Sequence, residues 1–158
     1  MYMPLSLIQI TADYPANGLP TVREAVCRQS GLPAKQSVSD SGLYKQTVSL
    51  FISEVLYHVL RHPMPDEQLW NFLSSSVDEL NNSDEPQNFH LHFLIGLAQK
   101  LGYAINGEAD EQSAKLVQTP HSRAERQQQL RALCEYFAEH VETWQHPKSL
   151  DVLIEVFD

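Results

Sequence analysis

From Leu43 to Arg61, in LYKQTVSLFISEVLYHVLR, apolar residues recur at Val48, Phe51, Ile52, Val55, Leu56, Val59 and Leu60. This spacing predicts a core helix, which His62-Pro63 ends because a residue before proline is pushed out of the helical region. After PMPDE, whose acidic residues suit a first helical turn, EQLWNFLSSSVDEL places Leu69, Trp70, Leu73, Val77 and Leu80 on one side of a second helix. A third runs from about Gln87 to Leu101, with Gly102 placed to close it in a left-handed cap. Ser122 and Glu125 have capping-box spacing, and a long amphipathic helix follows through Leu130, Leu133, Cys134, Phe137 and Val141 to about Trp144. HPKSLDVLIEVF adds a last apolar run with Pro147 at a first helical position.

Elsewhere the pattern is weaker. Leu5 to Thr11 alternates apolar and polar residues and predicts a short strand, with no second strand to pair it. Residues 13–42 are rich in Pro, Gly and Ser and read as a connector, broken by TVREAVCRQ, a short helix from about Val22. AINGEADEQSAKLVQT, Ala104 to Thr119, is polar and weakly patterned and reads mostly as loop. The expected fold is all-α, a bundle of four to five main helices with a short N-terminal strand. It divides into a strand and connector over residues 1–42 and a helical domain over 43–158.

Composition narrows the function classes. At 158 residues and 42% hydrophobic content the chain can bury one real core. Twenty acidic against 11 basic residues give a net charge of −9, and the basic residues are scattered from Arg23 to Lys148. Phosphate binding draws its affinity from clustered Lys and Arg, so this chain alone is expected to bind nucleic acid weakly or not at all. Arg123, Arg126 and Arg131 form the densest cluster, but a helix spreads them over more than one face and Glu125 partly offsets them, which reads as a solvated face. Cys27 and Cys134 are too few for a four-thiolate zinc site or a disulfide framework and are expected to be buried, reduced thiols. MYMPLSLIQI lacks the features of a secretion signal and no uncharged run is long enough to span a bilayer, so a cytoplasmic protein with no membrane contact is expected.

Candidate chemistry is sparse. His90 and His92 are two residues apart, on helix faces separated by about 200°, and cannot share a metal ion. One facing solvent and one tucked at a helix contact is the reading they suit. His58 and His62 have the i, i+4 spacing of metal-binding helices, with Glu54 one turn earlier on the same face. A Glu54, His58, His62 ladder could hold a cation and make the chain a metal-binding bundle or a metal-dependent enzyme. The alternative is that His62 sits at a helix C-terminus, where an imidazolium gains from the dipole. There is no nucleophile elbow, phosphate loop or paired acid in an apolar setting, and Ser74 to Ser76 read as exposed polar positions. Aromatic side chains (Phe51, Tyr57, Trp70, Phe72, Phe89, Phe93, Tyr136, Trp144, Phe157) are numerous for a bundle this small, and a groove between helices would suit a short hydrophobic peptide.

SLFISEVLYHVLRHPMPDEQLWNFL, NFHLHFLIGLAQKLGY, CEYFAEHV and KSLDVLIEVFD, in that order and spacing, resemble the C-terminal helical domain of the RecO family of recombination mediators in its Bacteroidetes-like form. PLSLIQIT followed by a REA segment looks like the end of that family's N-terminal domain running into its helices. The resemblance implies a non-enzymatic role, without a cofactor, in DNA repair by homologous recombination. It implies RecR and the acidic-hydrophobic tail of single-stranded DNA-binding protein as partners, the tail in a hydrophobic groove with basic residues at its rim. The sequence departs from the family in lacking most of the oligonucleotide-binding barrel ahead of the helices and the four-cysteine zinc site after LGY. DNA annealing by this chain is therefore doubtful, and partner binding by the helices is the activity expected to survive. A folded remnant with no activity of its own is the third reading.

Overall fold

A computed structural model describes residues 3–29, 40–61, 65–84, 86–103, 105 and 111–156. Its centre is α3 (Phe89–Lys100), where Leu91, Leu94, Leu97 and Ala98 have no exposed surface and Phe89 and Phe93 are also buried. A helix apolar on most sides must be surrounded. α2 (Glu67–Asn82) packs on it from one side and α5 (Arg123–His140) from another. Helix α1 (Asp40–Val59) brings Val48, Phe51, Ile52 and Val55 into the same core and packs on α6 (Ser149–Val156), which supplies Leu153. Each such side chain removed from water stabilises the fold by about 1.5–3 kcal/mol before the entropy of ordering it.

The helix ends follow from local chemistry. Asp66 caps α2 by accepting from Leu69 N–H at 3.0 Å. Gly102, at φ +85°, closes α3 as its spacing predicts: Tyr103 N–H donates to Ala98 C=O and Gly102 N–H to Gln99 C=O. Ser122 Oγ accepts from Glu125 N–H at 3.2 Å, while the Glu125 carboxylate accepts from His121 N–H, one residue outside the usual capping box. Gly96 is needed for a different reason. A Cβ there would lie 2.7 Å from the Phe72 ring, so the glycine lets α2 approach α3 closely enough for Phe72 to stack on Phe93.

The structure corrects the sequence reading in several places. The fold is mostly helical but not all-α, because TVREAVCRQ is a strand, not a helix. It forms β2 (Thr21–Gln29), antiparallel to β1 (Leu7–Asp13). The segment has too few apolar residues for a helical stripe, and backbone groups of β1 can be satisfied by pairing. The polar stretch before Ser122 contains α4 (Glu111–Val117). Leu116 is buried there, and the Gln129 side chain, reaching across from α5, donates to the carbonyls of Leu116 and Gln118 at its end. α5 ends at His140 rather than near Trp144, and Trp144 instead stacks on Phe137 from the following turn. Cys134 is buried as expected, whereas Cys27 is exposed on β2. Of the three serines, Ser76 is buried and bonds back to Phe72 C=O, so that run is not uniformly exposed. The aromatic residues divide: Phe51, Phe89 and Phe93 are core, while Tyr57 is 70% and Trp70 54% exposed.

Candidate functional site

An apolar groove of about 150 Å³ opens where α1, α2 and α3 meet the N-terminal segment. Ile52 and Leu56 come from α1, Trp70, Leu73 and Val77 from α2, and Phe89 and Phe93 from α3. Leu5 and Leu7 close one side, with Leu5 at φ +59° turning its side chain onto the core. Ser6 and Ser76 are the polar lining residues, and no Lys or Arg lines the groove among the described residues. Trp70, which the spacing puts on one side of α2 with Leu69, Leu73, Val77 and Leu80, lines the groove with Leu73 and Val77. Its exposure is what marks the groove as open.

Glu54 and His58 are on α1, but Glu54 is committed to structure. Its Oε2 accepts from Ser149 N–H at 2.8 Å and from the Ser149 hydroxyl, so α1 caps the first turn of α6. Burial would raise the carboxyl pKa, but these hydrogen bonds, with one from Lys148 and the nearby His58, outweigh it and hold the pKa below its ordinary value. His58 is buried with its ring edge-on to Tyr57, and its Nδ1 has no hydrogen-bond partner among the described residues. His62 lies outside the described residues, as does Phe157. Among the described residues no group of three or more His, Cys, Asp and Glu is placed to hold a metal ion.

His90 and His92 part as their spacing requires. His90 is 2% exposed and His92 is exposed. A narrow cleft at the start of α5 brings His90 next to Arg123, Arg126 and Gln127. Arg126 is only half-buried but lies close enough to influence both His90 and Tyr44, and its Nε is sheltered without a hydrogen-bond partner among the described residues. The arginine cluster is therefore not wholly a solvated face. Nothing in the sequence links Arg126 to His90, because only the packing of α3 on α5 brings them together. No helix among the described residues is long and apolar enough to cross a membrane.

The described residues thus form a mostly helical domain carrying a β-hairpin, with an apolar groove where the helices meet the N-terminal segment. Residues 40–118 match the family described as recombination protein O C terminal. The chain belongs to this RecO family. It is 25% identical to the DNA repair protein RecO of Flavobacterium johnsoniae over 189 aligned residues, covering 99% of this chain and 78% of that one. It is 30% identical to the DNA repair protein RecO of Flavobacterium psychrophilum, covering 72% and 62%, and 36% identical to that of Porphyromonas gingivalis, covering 63% and 39%. The chain thus spans less than two thirds of two of these three relatives. No solved structure matches it.

Proposed function

We propose that this chain is a non-enzymatic, cytoplasmic RecO-type mediator module in DNA repair by homologous recombination, acting through protein contacts. Residues 43–158 form the partner-binding part, and residues 1–42 are a strand and connector that correspond to the end of the family's N-terminal domain. Its partners are RecR and the C-terminal tail of single-stranded DNA-binding protein. The observation that carries this reading is the apolar groove between α1, α2 and α3 in a chain of the RecO family. A short peptide with large apolar side chains fits a groove lined by Leu56, Leu73, Phe89 and Phe93, with Trp70 at its mouth. The scattered basic residues and the net charge of −9 argue against tight binding to the nucleic acid itself.

The test is a fluorescence-anisotropy titration with a labelled tail peptide of the same organism's single-stranded DNA-binding protein and, in parallel, a labelled single-stranded oligonucleotide. The expected result is saturable binding of the peptide, weakened at least about tenfold by Trp70→Ala, and little binding of the oligonucleotide. Peptide binding that Trp70→Ala leaves unchanged would move the site away from this groove. Binding of the oligonucleotide alone would overturn the protein-contact reading.

A further inference from the structure

The loop of the hairpin, YPANGLP over residues 14–20, is tied at its base, where Asp13 pairs with Arg23 beside the last rungs of the ladder. Every residue of the loop is exposed. At its centre stand Asn17 and Gly18. Gly18 has φ +121°, a conformation that favours glycine, and its N–H makes no hydrogen bond among the described residues. The side-chain amide of Asn17 has no partner among them either. Asn17 Cγ and Gly18 N are the two ends of a five-membered ring, and a glycine has no Cβ to hinder its closure.

The other described asparagines lack part of this arrangement. Asn71, Asn81 and Asn82 belong to α2, where helical hydrogen bonds occupy the N–H that follows each one. At the end of that helix Ser83 N–H donates to Glu79 C=O at 2.8 Å, and the Asn82 side-chain amide donates to Asp78 C=O at 2.8 Å. Asn88 precedes the bulky, buried Phe89. Asn106, in a second Asn-Gly pair, lies outside the described residues.

We propose that Asn17 is a covalent modification site, at which the folded chain converts its own asparagine to aspartate and isoaspartate with water as the co-reactant. Gly18 N gives up its proton and bonds to Asn17 Cγ. The bond from Cγ to the side-chain nitrogen breaks, and that nitrogen leaves as ammonia, carrying the proton. The succinimide so formed takes up one water. Opening at Cγ gives aspartate, and opening at the backbone carbonyl gives isoaspartate, whose chain runs through Cβ and Cγ. The net change exchanges amide nitrogen for the oxygen of water, with nothing oxidised or reduced. It adds one negative charge to the −9 of the chain, in a loop whose base is already fixed by Asp13 and Arg23. The apolar groove meets β1 at Leu7, the opposite end of the strand, so the helices and the groove keep their structure.

The test keeps the full chain folded at mildly alkaline pH, where the attacking nitrogen loses its proton more readily, and samples it over weeks. Tryptic digestion gives a fragment ending at Arg23, in which Asn17 is the single asparagine, and another ending at Lys100, which holds every asparagine of α2. Mass spectrometry reads the change from amide to acid in each, and enzymatic methyl transfer to the new carboxylate reads isoaspartate. The Arg23 fragment is expected to convert progressively, while the Lys100 fragment stays unchanged and circular dichroism shows the helices intact. In guanidinium chloride the Lys100 fragment should convert too, because unfolding frees Ser83 N–H from Glu79. Asn17→Gln should abolish the product in the Arg23 fragment, and Gly18→Ala should slow its formation several-fold. An unconverted Arg23 fragment, equal conversion of both fragments in the folded chain, or a rate indifferent to Gly18→Ala would each overturn the proposal.

Discussion

His90 is 2% exposed within α3, and its pKa falls to about 3, first because burial penalises the charged form and then because Arg126 and His92 oppose a further positive charge. The folded protein holds it neutral at any ordinary pH, whereas the unfolded chain protonates it near its ordinary value of 6.5. A base with a depressed folded pKa binds more protons when unfolded, so stability falls as pH drops below 6.5 and continues to fall until about 3. Between about pH 8 and about pH 5 the loss is about 2 kcal/mol. Urea denaturation at the two pH values should show His90→Gln less stable overall but losing less on acidification than the wild type. An equal acid-induced loss in both proteins would place the sensitivity on another group. Cys134 is controlled by the same physics. Burial, with Glu135 adding to it, pushes its thiol up to about 12, so at neutral pH it is a packing residue rather than a nucleophile.

Among the elements, α1 and α6 show how two helices far apart in sequence depend on one side chain. Glu54 caps α6 through Ser149, and Glu54→Ala is expected to cost about 1 kcal/mol, the usual scale for losing an N-terminal cap. Because its pKa is lowered, that contribution is present above its ordinary value of 4.5 and disappears as pH falls through the lower folded value. Thermal melts at neutral pH measure the loss, and a Glu54→Ala protein as stable as wild type would mean that water replaces the carboxylate at the cap. The signals for α1, α2, α3 and α5 were legible because each pairs an apolar repeat with a local start or stop, such as Gly102 or the Ser122 cap. β2 and α4 lack that combination. Strand pairing decides the first, and the buried amide of Gln129, together with burial of Leu116, holds the second.

For the molecule as a whole, the balance of charge against apolar surface sets what it can bind. The groove has no cationic lining among the described residues, and the chain carries −9, so an acidic-hydrophobic peptide would be held by its apolar residues against a mild repulsion. Peptide affinity is therefore expected to stay level or rise as salt increases from low to physiological, the reverse of a complex held by ion pairs. Repeating the anisotropy titration over a salt series checks this. A steep loss of affinity with salt would point to the arginines at the start of α5, near His90, in place of the groove.

The amino-acid sequence by itself determined that there would be a helical core, where most of its helices begin and end, which apolar residues fill it, and the family to which the chain belongs. These depend on spacing and on contacts between near neighbours. The split between His90 and His92 was of the same kind, since helix geometry separates the two rings wherever the helix packs. Tertiary structure alone decided that TVREAVCRQ pairs with β1, that Glu54 caps α6, that Arg126 approaches His90 and that Trp70 stands at the mouth of a groove. Each of these depends on how different elements meet, and only the packed chain fixes that.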